Sequence, residues 1–190
     1  MKAVTDSAFD SNFDPDTCNF DWQGLAAVES DLPSELRYWL TLPTSLTRAL
    51  KLRADDFSVE VLEQRQISLA LPIDGFHDQQ APCPMFSRKV LLKQGDTPWV
   101  AAHTLIPVSS LEGGLNQLTQ LANKPLGELL FATPGVRKDY LQVCTTGLGW
   151  GRRARYHLHH QPLLVSEFFL PELILYEHKR LTLLHQTHST

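Results

Sequence analysis

The chain has 190 residues, enough for one domain with a core of ordinary size and short for two. Its hydrophobic and charged fractions, 43% and 20%, are those of a globular protein, and no apolar run approaches the roughly 18 residues that a membrane span requires. The net charge of -4 is uneven: residues 1–31 hold one lysine against seven acidic residues, which leaves the rest 16 basic against 14 acidic, too small an excess for a nucleic-acid surface.

Residues 1–20 are rich in Asp, Ser and Asn without a steady period and read as a flexible acidic arm. The first 30 residues lack the basic-then-apolar pattern of an export signal. Ser34 to Leu42 has helical spacing, with Ser34 as N-cap, and Pro43 ends it. Thr44 or Ser45 can cap a second helix to about Arg53, with Leu46, Ala49 and Leu50 on one face. Two short helices around a proline turn make a hairpin that can lie as a flap over something else.

From Phe57 the period becomes two. FSVEVLEQ reads as a strand, residues 66–83 as a loop, and Met85–Lys93 and Trp99–Ile106 as a hairpin turned at Gly95-Asp96. Residues 111–131 are helical in two pieces, the second starting with Pro125 in its first turn. Asp139–Thr145, Arg152–His159 and Pro162–Leu170 form three more strands, and the segment from His178 onward is an exposed tail. Short links between the last three strands demand antiparallel pairing. The expected fold is α+β: one antiparallel sheet of about six strands, helices on one face, a single domain over residues 21–180 and a tail at 181–190.

Cys18, Cys83 and Cys144 are odd in number, far apart and in no C-x-x-C spacing, which predicts buried thiols in a reducing, cytoplasmic compartment. His157, His159 and His160 have no carboxylate or cysteine near them in sequence, so no metal site is expected. The Gly147–Gly151 run leads into a strand and lacks the lysine and hydroxyl of a phosphate loop. Arg153, Arg155, His157 and His159 alternate with apolar residues and read as a solvent face.

Two charged residues stand out. Arg88 shares a strand face with Phe86, Val90 and Leu92, whereas Met85, Ser87, Lys89, Leu91 and Lys93 form the more polar, solvent-directed face. An inward guanidinium needs an anionic partner. Glu167 lies in PLLVSEFFLP, apolar on both faces, where a desolvated carboxylate is suited to acid–base work. Arg88 and Glu167 either pair with each other or face a ligand.

The stretches PWVAAHTLIPVSSL, NKPLGELLF, GLGWGRRAR and PLLVSEFFLP, in this order, resemble the chorismate pyruvate-lyase family; the likeness starts at about Arg37–Lys51 and is strongest from Pro98 to Tyr176. The resemblance implies an antiparallel sheet, a ligand enclosed beneath two helical flaps, and no metal or organic cofactor. It implies chorismate as substrate, 4-hydroxybenzoate and pyruvate as products, and the first committed step of ubiquinone biosynthesis. The positions it marks are Leu46 on the first flap, where methionine is familiar, Arg88 on a strand, Leu126 after a proline, and Glu167 on the last strand. Arg88 would hold the ring carboxylate and Glu167 would sit near the scissile ether. His103 stands where the family has an arginine. The expected enzyme is a monomer without nucleic-acid or membrane partners. The rival is a non-catalytic effector-binding domain of the same fold, for which residues 1–31 lack a helix-turn-helix.

Overall fold

The computed structural model describes residues 20–69, 73, 82–147 and 149–187. The acidic arm up to residue 19, with Cys18, therefore lies outside the described residues. The strands are β1 (Gln23–Gly24), β2 (Phe57–Leu69), β3 (Cys83–Gln94), β4 (Thr97–Pro107), β5 (Arg137–Thr146), β6 (Gly149–Leu158) and β7 (Gln161–Phe169). The helices are α1 (Ser34–Thr41), α2 (Leu46–Lys51), α3 (Val108–Ser110), α4 (Leu126–Ala132) and α5 (Pro171–Thr187). The strands make one antiparallel sheet in the order β1-β5-β6-β7-β4-β3-β2. The α+β class holds, with seven strands, because the two-residue β1 pairs at the β5 edge.

The turns follow local chemistry. Gly95 takes φ 54° between β3 and β4. His159 and His160, at φ 52° and 64°, make the two-residue β6–β7 turn, a geometry that matches the twist of paired strands. Ser45 caps α2 by accepting from the Arg48 amide at 3.3 Å. Ser34 does not cap α1: Pro33 holds the cap position, and the Ser34 hydroxyl donates to Glu35. Pro125 likewise precedes α4 as its cap rather than opening it.

Three other expectations are corrected. Residues 66–69 continue β2, because Gln66–Leu69 pair in register with Phe86–Cys83. The region 108–120 is not one regular helix; α3 runs into a π turn (Leu111–Leu115) and a 3-10 turn (Asn116–Gln120), since Gly114 sits at φ 120°. The segment from His178 is exposed or half-exposed through Gln186, as expected, but it is helical: it continues α5, which Pro171 begins, since its pre-set φ suits a first helical turn. Among the residues of α5 up to Gln186, Leu173 and Glu177 are buried, so a 17-residue helix leaves a weak apolar stripe in the sequence. No helix of the described residues is long and apolar enough to cross a membrane.

The sheet has two unlike faces. The front face carries Arg88, Val90, Ala102, Val165 and Tyr156, and α1, α2 and α4 lie over it. The back face carries Met85, Ser87, Lys89 and Leu91, which are buried and not solvent-directed as expected. On that face Phe20 and Trp22 pack against Phe168. Cys83 and Cys144 are buried free thiols, as read from the sequence; burial pushes the Cys144 thiol up to about 12. A polar row crosses the back face from strand to strand: Glu63, Lys89, His103, Ser166, Arg153 and Gln142 are successive register partners. Apolar groups flank it, Leu91, Ala101 and Phe168 on one side and Met85, Leu105 and Leu164 on the other. Glu63 pairs with Lys89 at 3.3 Å, Ser87 meets His103 at 2.9 Å, and Arg153 donates to Gln142 at 2.8 Å. Arg153 also lies over the Trp22 ring, so its face is half covered.

Gly151 tests the packing of β6 on β7. A Cβ there would sit 2.7 Å from the Phe168 ring and 3.3 Å from the Cys144 sulfur. Gly151→Ala should cost about 1–3 kcal/mol, since a full core cannot absorb a methyl group without strain. At roughly 2–4 °C per kcal/mol for a chain of this size, calorimetry should show a lower melting temperature. Gly24→Ala, with open space around it, is the control expected to change little.

Candidate active site

The first flap is the hairpin α1–α2. Leu36, Trp39 and Leu40 give α1 a fully buried stripe at helical spacing. The second flap is α4 with the turn before it. The flaps meet closely: a Cβ on Gly127 would lie 2.8 Å from the Thr47 hydroxyl, and Lys51 pairs with Glu128 across the gap. That pair is half exposed on both sides, so the close approach at Gly127 matters more for closure than the charge.

Between flaps and sheet lies a cavity with about 520 Å³ of non-atom space, counting the part continuous with solvent. Leu46, Arg88, Leu126 and Glu167, the four residues singled out from the sequence, all line it. Strand alternation brings Arg88 and Glu167 to the same face, and the register sets Thr104 beside Arg88 and Ala102 beside Glu167. The alternatives left open by the sequence are separated by geometry: Arg88 and Glu167 have different protein partners.

Arg88 is 2% exposed. Its Nη2 donates to the Ala122 carbonyl at 2.8 Å and to the Lys124 carbonyl at 3.2 Å, which ties β3 to the second flap. Ala122 holds φ 46°, a left-handed conformation uncommon outside glycine, and this bond helps to hold it there. The Arg88 Nε is buried and, among the described residues, has no hydrogen-bond partner. Burial draws the guanidinium below its ordinary pKa. A buried cation with an unmet donor, lining a cavity, has the chemistry to take an anion.

Glu167 pairs with Arg152, not Arg88: the Arg152 Nε donates to its Oε2 at 2.6 Å. The Arg152 Nη1 donates to the Trp39 carbonyl at 2.6 Å and the Leu42 carbonyl at 3.2 Å, and the guanidinium lies over Phe169. One buried arginine thus joins the last strand's carboxylate to the turn of the first flap, where α1 ends. Among the described residues no hydrogen bond engages the Glu167 Oε1, which leaves that oxygen available to a guest. Sequence reading missed Arg152 as a site residue. The signal was present, since alternation places it with Ala154 and Tyr156, both buried on the front face.

Lys138, also missed, has its Nζ 3.5 Å from the Leu42 carbonyl. His103 lies on the opposite face, outside the cavity. The His157 Nδ1 lies 3.3 Å from an Asp139 carboxylate oxygen, and among the described residues no three His, Cys, Asp or Glu side chains converge as a metal site would require.

Comparison with known proteins adds an independent line. A family model described as chorismate lyase matches residues 17–181. A probable chorismate pyruvate-lyase of Photobacterium profundum is 36% identical over 147 residues, covering 75% of this chain and 82% of that protein. A chorismate pyruvate-lyase of Escherichia coli is 33% identical over 150 residues, covering 76% and 88%. Among solved structures, the C-terminal domain of a histidine utilization repressor from Pseudomonas syringae aligns over 62% of this chain and 93% of its own, with TM-score 0.45 and 12% identity.

Removing Arg152 should unsettle the whole constellation. Arg152→Leu leaves Glu167 and two flap carbonyls without their donor, and breaking a buried pair from one side costs about 3–5 kcal/mol. Urea unfolding should show a loss of that order, and a loss under about 1 kcal/mol would mean that the pair carries little.

Proposed function

The chain belongs to the chorismate lyase family, and from that premise we propose that it converts chorismate to 4-hydroxybenzoate and pyruvate with Arg88 and Glu167 as the central groups of the site. The observation that carries the assignment of roles is the buried Arg88 Nε, unpartnered in a cavity that also holds the Glu167 carboxylate.

The reaction balances without an external oxidant or reductant. The ring carbon bearing the enolpyruvyl ether loses its C–O bond, and the bonding pair leaves on the ether oxygen. The neighbouring carbinol carbon loses its hydrogen as a proton, and the C–H pair becomes the third ring double bond. The released enolpyruvyl fragment takes a proton on its methylene carbon and becomes pyruvate. The ring hydroxyl stays in place and becomes the phenol. Hydrogen, two ring carbons, ether oxygen and the two vinyl carbons form a six-membered circuit, so the proton can pass within the substrate.

The protein's task is then orientation and exclusion of water. Arg88 takes the ring carboxylate in a charge-assisted contact. The free oxygen of Glu167, held by Arg152, accepts a hydrogen bond from the ring hydroxyl, beside the ether. Leu46 and Leu126 close over the ring from the two flaps, and the departing product requires those flaps to part. In the same reading the product supplies ubiquinone formation and the enzyme acts as a cytoplasmic monomer; the free thiols Cys83 and Cys144 suit a reducing compartment.

Incubation with chorismate should release 4-hydroxybenzoate and pyruvate in equal amounts, followed by chromatography and a coupled pyruvate assay. Binding of 4-hydroxybenzoate without turnover of chorismate would favour an effector-binding role. Arg88→Met should weaken 4-hydroxybenzoate binding in calorimetry by roughly 10- to 100-fold, the scale of a hydrogen bond to a charged group. Unchanged affinity would remove Arg88 from the carboxylate contact.

A further inference from the structure

The lyase reading leaves one charge unanswered. Chorismate carries two carboxylates, one on the ring and one on the enolpyruvyl arm, and Arg88 meets only the first. Arg152 is engaged, with its Nε on Glu167 and its Nη1 on two backbone carbonyls.

A second cavity adjoins the first. It has about 570 Å³ of non-atom space, again counting the part open to solvent, and shares Leu130, Phe131 and Tyr156 with the cavity that holds Arg88. Among the described residues that line the two cavities the cations are Arg88 in the first and Lys138 in the second. Across the sheet, Arg88 on β3 and Lys138 on β5 stand on either side of Glu167 on β7, with four inter-strand steps, about 19 Å, between their backbones. Lys138 is also displaced along the strands, since it pairs in register with Tyr156, whereas Glu167 pairs with Arg152. The Lys138 ammonium and the Arg152 guanidinium share the Leu42 carbonyl.

We propose that Lys138 forms a second carboxylate subsite, in which the enolpyruvyl arm of the substrate lies in the adjoining cavity with its carboxylate on the Lys138 ammonium. The inference rests on the lyase reading and deepens it. Two local features support it. The β5–β6 register shifts between Lys138 and Tyr140, an irregularity of the kind that re-aims a side chain beside a site. The ammonium is half-buried, and among the described residues its hydrogen bond is the long one to the Leu42 carbonyl. Burial first, and Arg152 next, pull its pKa below the ordinary lysine value, while Glu167 acts the other way. An anionic guest removes that penalty. Each product then carries one carboxylate and holds one subsite: 4-hydroxybenzoate stays with Arg88, and pyruvate leaves through the cavity that opens more widely.

The test compares a dianion with a monoanion on the full chain. Lys138→Met should raise the KM for chorismate roughly 10- to 100-fold with kcat within about threefold, the pattern of a contact made equally in ground and transition states. The Kd for 4-hydroxybenzoate should stay within about twofold, and Lys138→Arg should restore most of the KM. An unchanged KM, or an equal loss for chorismate and 4-hydroxybenzoate, would overturn the subsite. In the wild type, millimolar pyruvate should bind together with 4-hydroxybenzoate, and mutually exclusive binding would also overturn it. A wild-type chain that leaves chorismate intact would refute the lyase reading itself, a result distinct from any Lys138 effect.

Discussion

The site depends on one buried guanidinium. Arg152 donates at once to the Glu167 carboxylate and to the Trp39 and Leu42 carbonyls. Those carbonyls close the C-terminal end of α1, where unsatisfied backbone acceptors gather and a cation is favoured. The same contact that settles the carboxylate therefore settles where α1 ends and the first flap turns. Removing either end leaves the other with a desolvated group and no partner, so flap position and carboxylate orientation are one problem with one solution.

A second tie works from the other side. Arg88 joins β3 to the second flap through Ala122 and Lys124. Each flap is thus fastened by an arginine rising from the sheet, and the cavity lies between the two fastenings. Arg53 adds a third anchor, set against Tyr38 and Trp39 and paired with the buried Glu177 of α5. The C-terminal helix is thereby part of the support for the first flap.

Much of this was legible in the sequence, for physical reasons. Alternation told the inward face of β3 from its neighbour, so Arg88 was identified as buried, and the apolar run around Glu167 marked it in the same way. Arg152 is hard to single out because Arg153 stands beside it and Arg155 shares the face of Arg153, so the run reads as a basic solvent face. The back face of β3 was misread because serine and lysine suggest solvent, whereas Lys89 is buried with Glu63 as partner. Helix α5 was missed because its buried stripe is only two residues. Backbone contacts to carbonyls, such as those of Arg88 and Arg152, leave no trace in residue types at all.

The polar row on the back face has a consequence for assembly of the sheet. Inside-outside alternation forbids a slip of one residue between strands but tolerates a slip of two, which restores every side chain to its proper side. Here a two-residue slip of β4 against β3 would set the Lys89 ammonium opposite Ala101 or Leu105 instead of His103. The row therefore acts as a key cut across the strands: only one alignment seats polar group beside polar group, and the sheet that carries the cavity is proofread from behind.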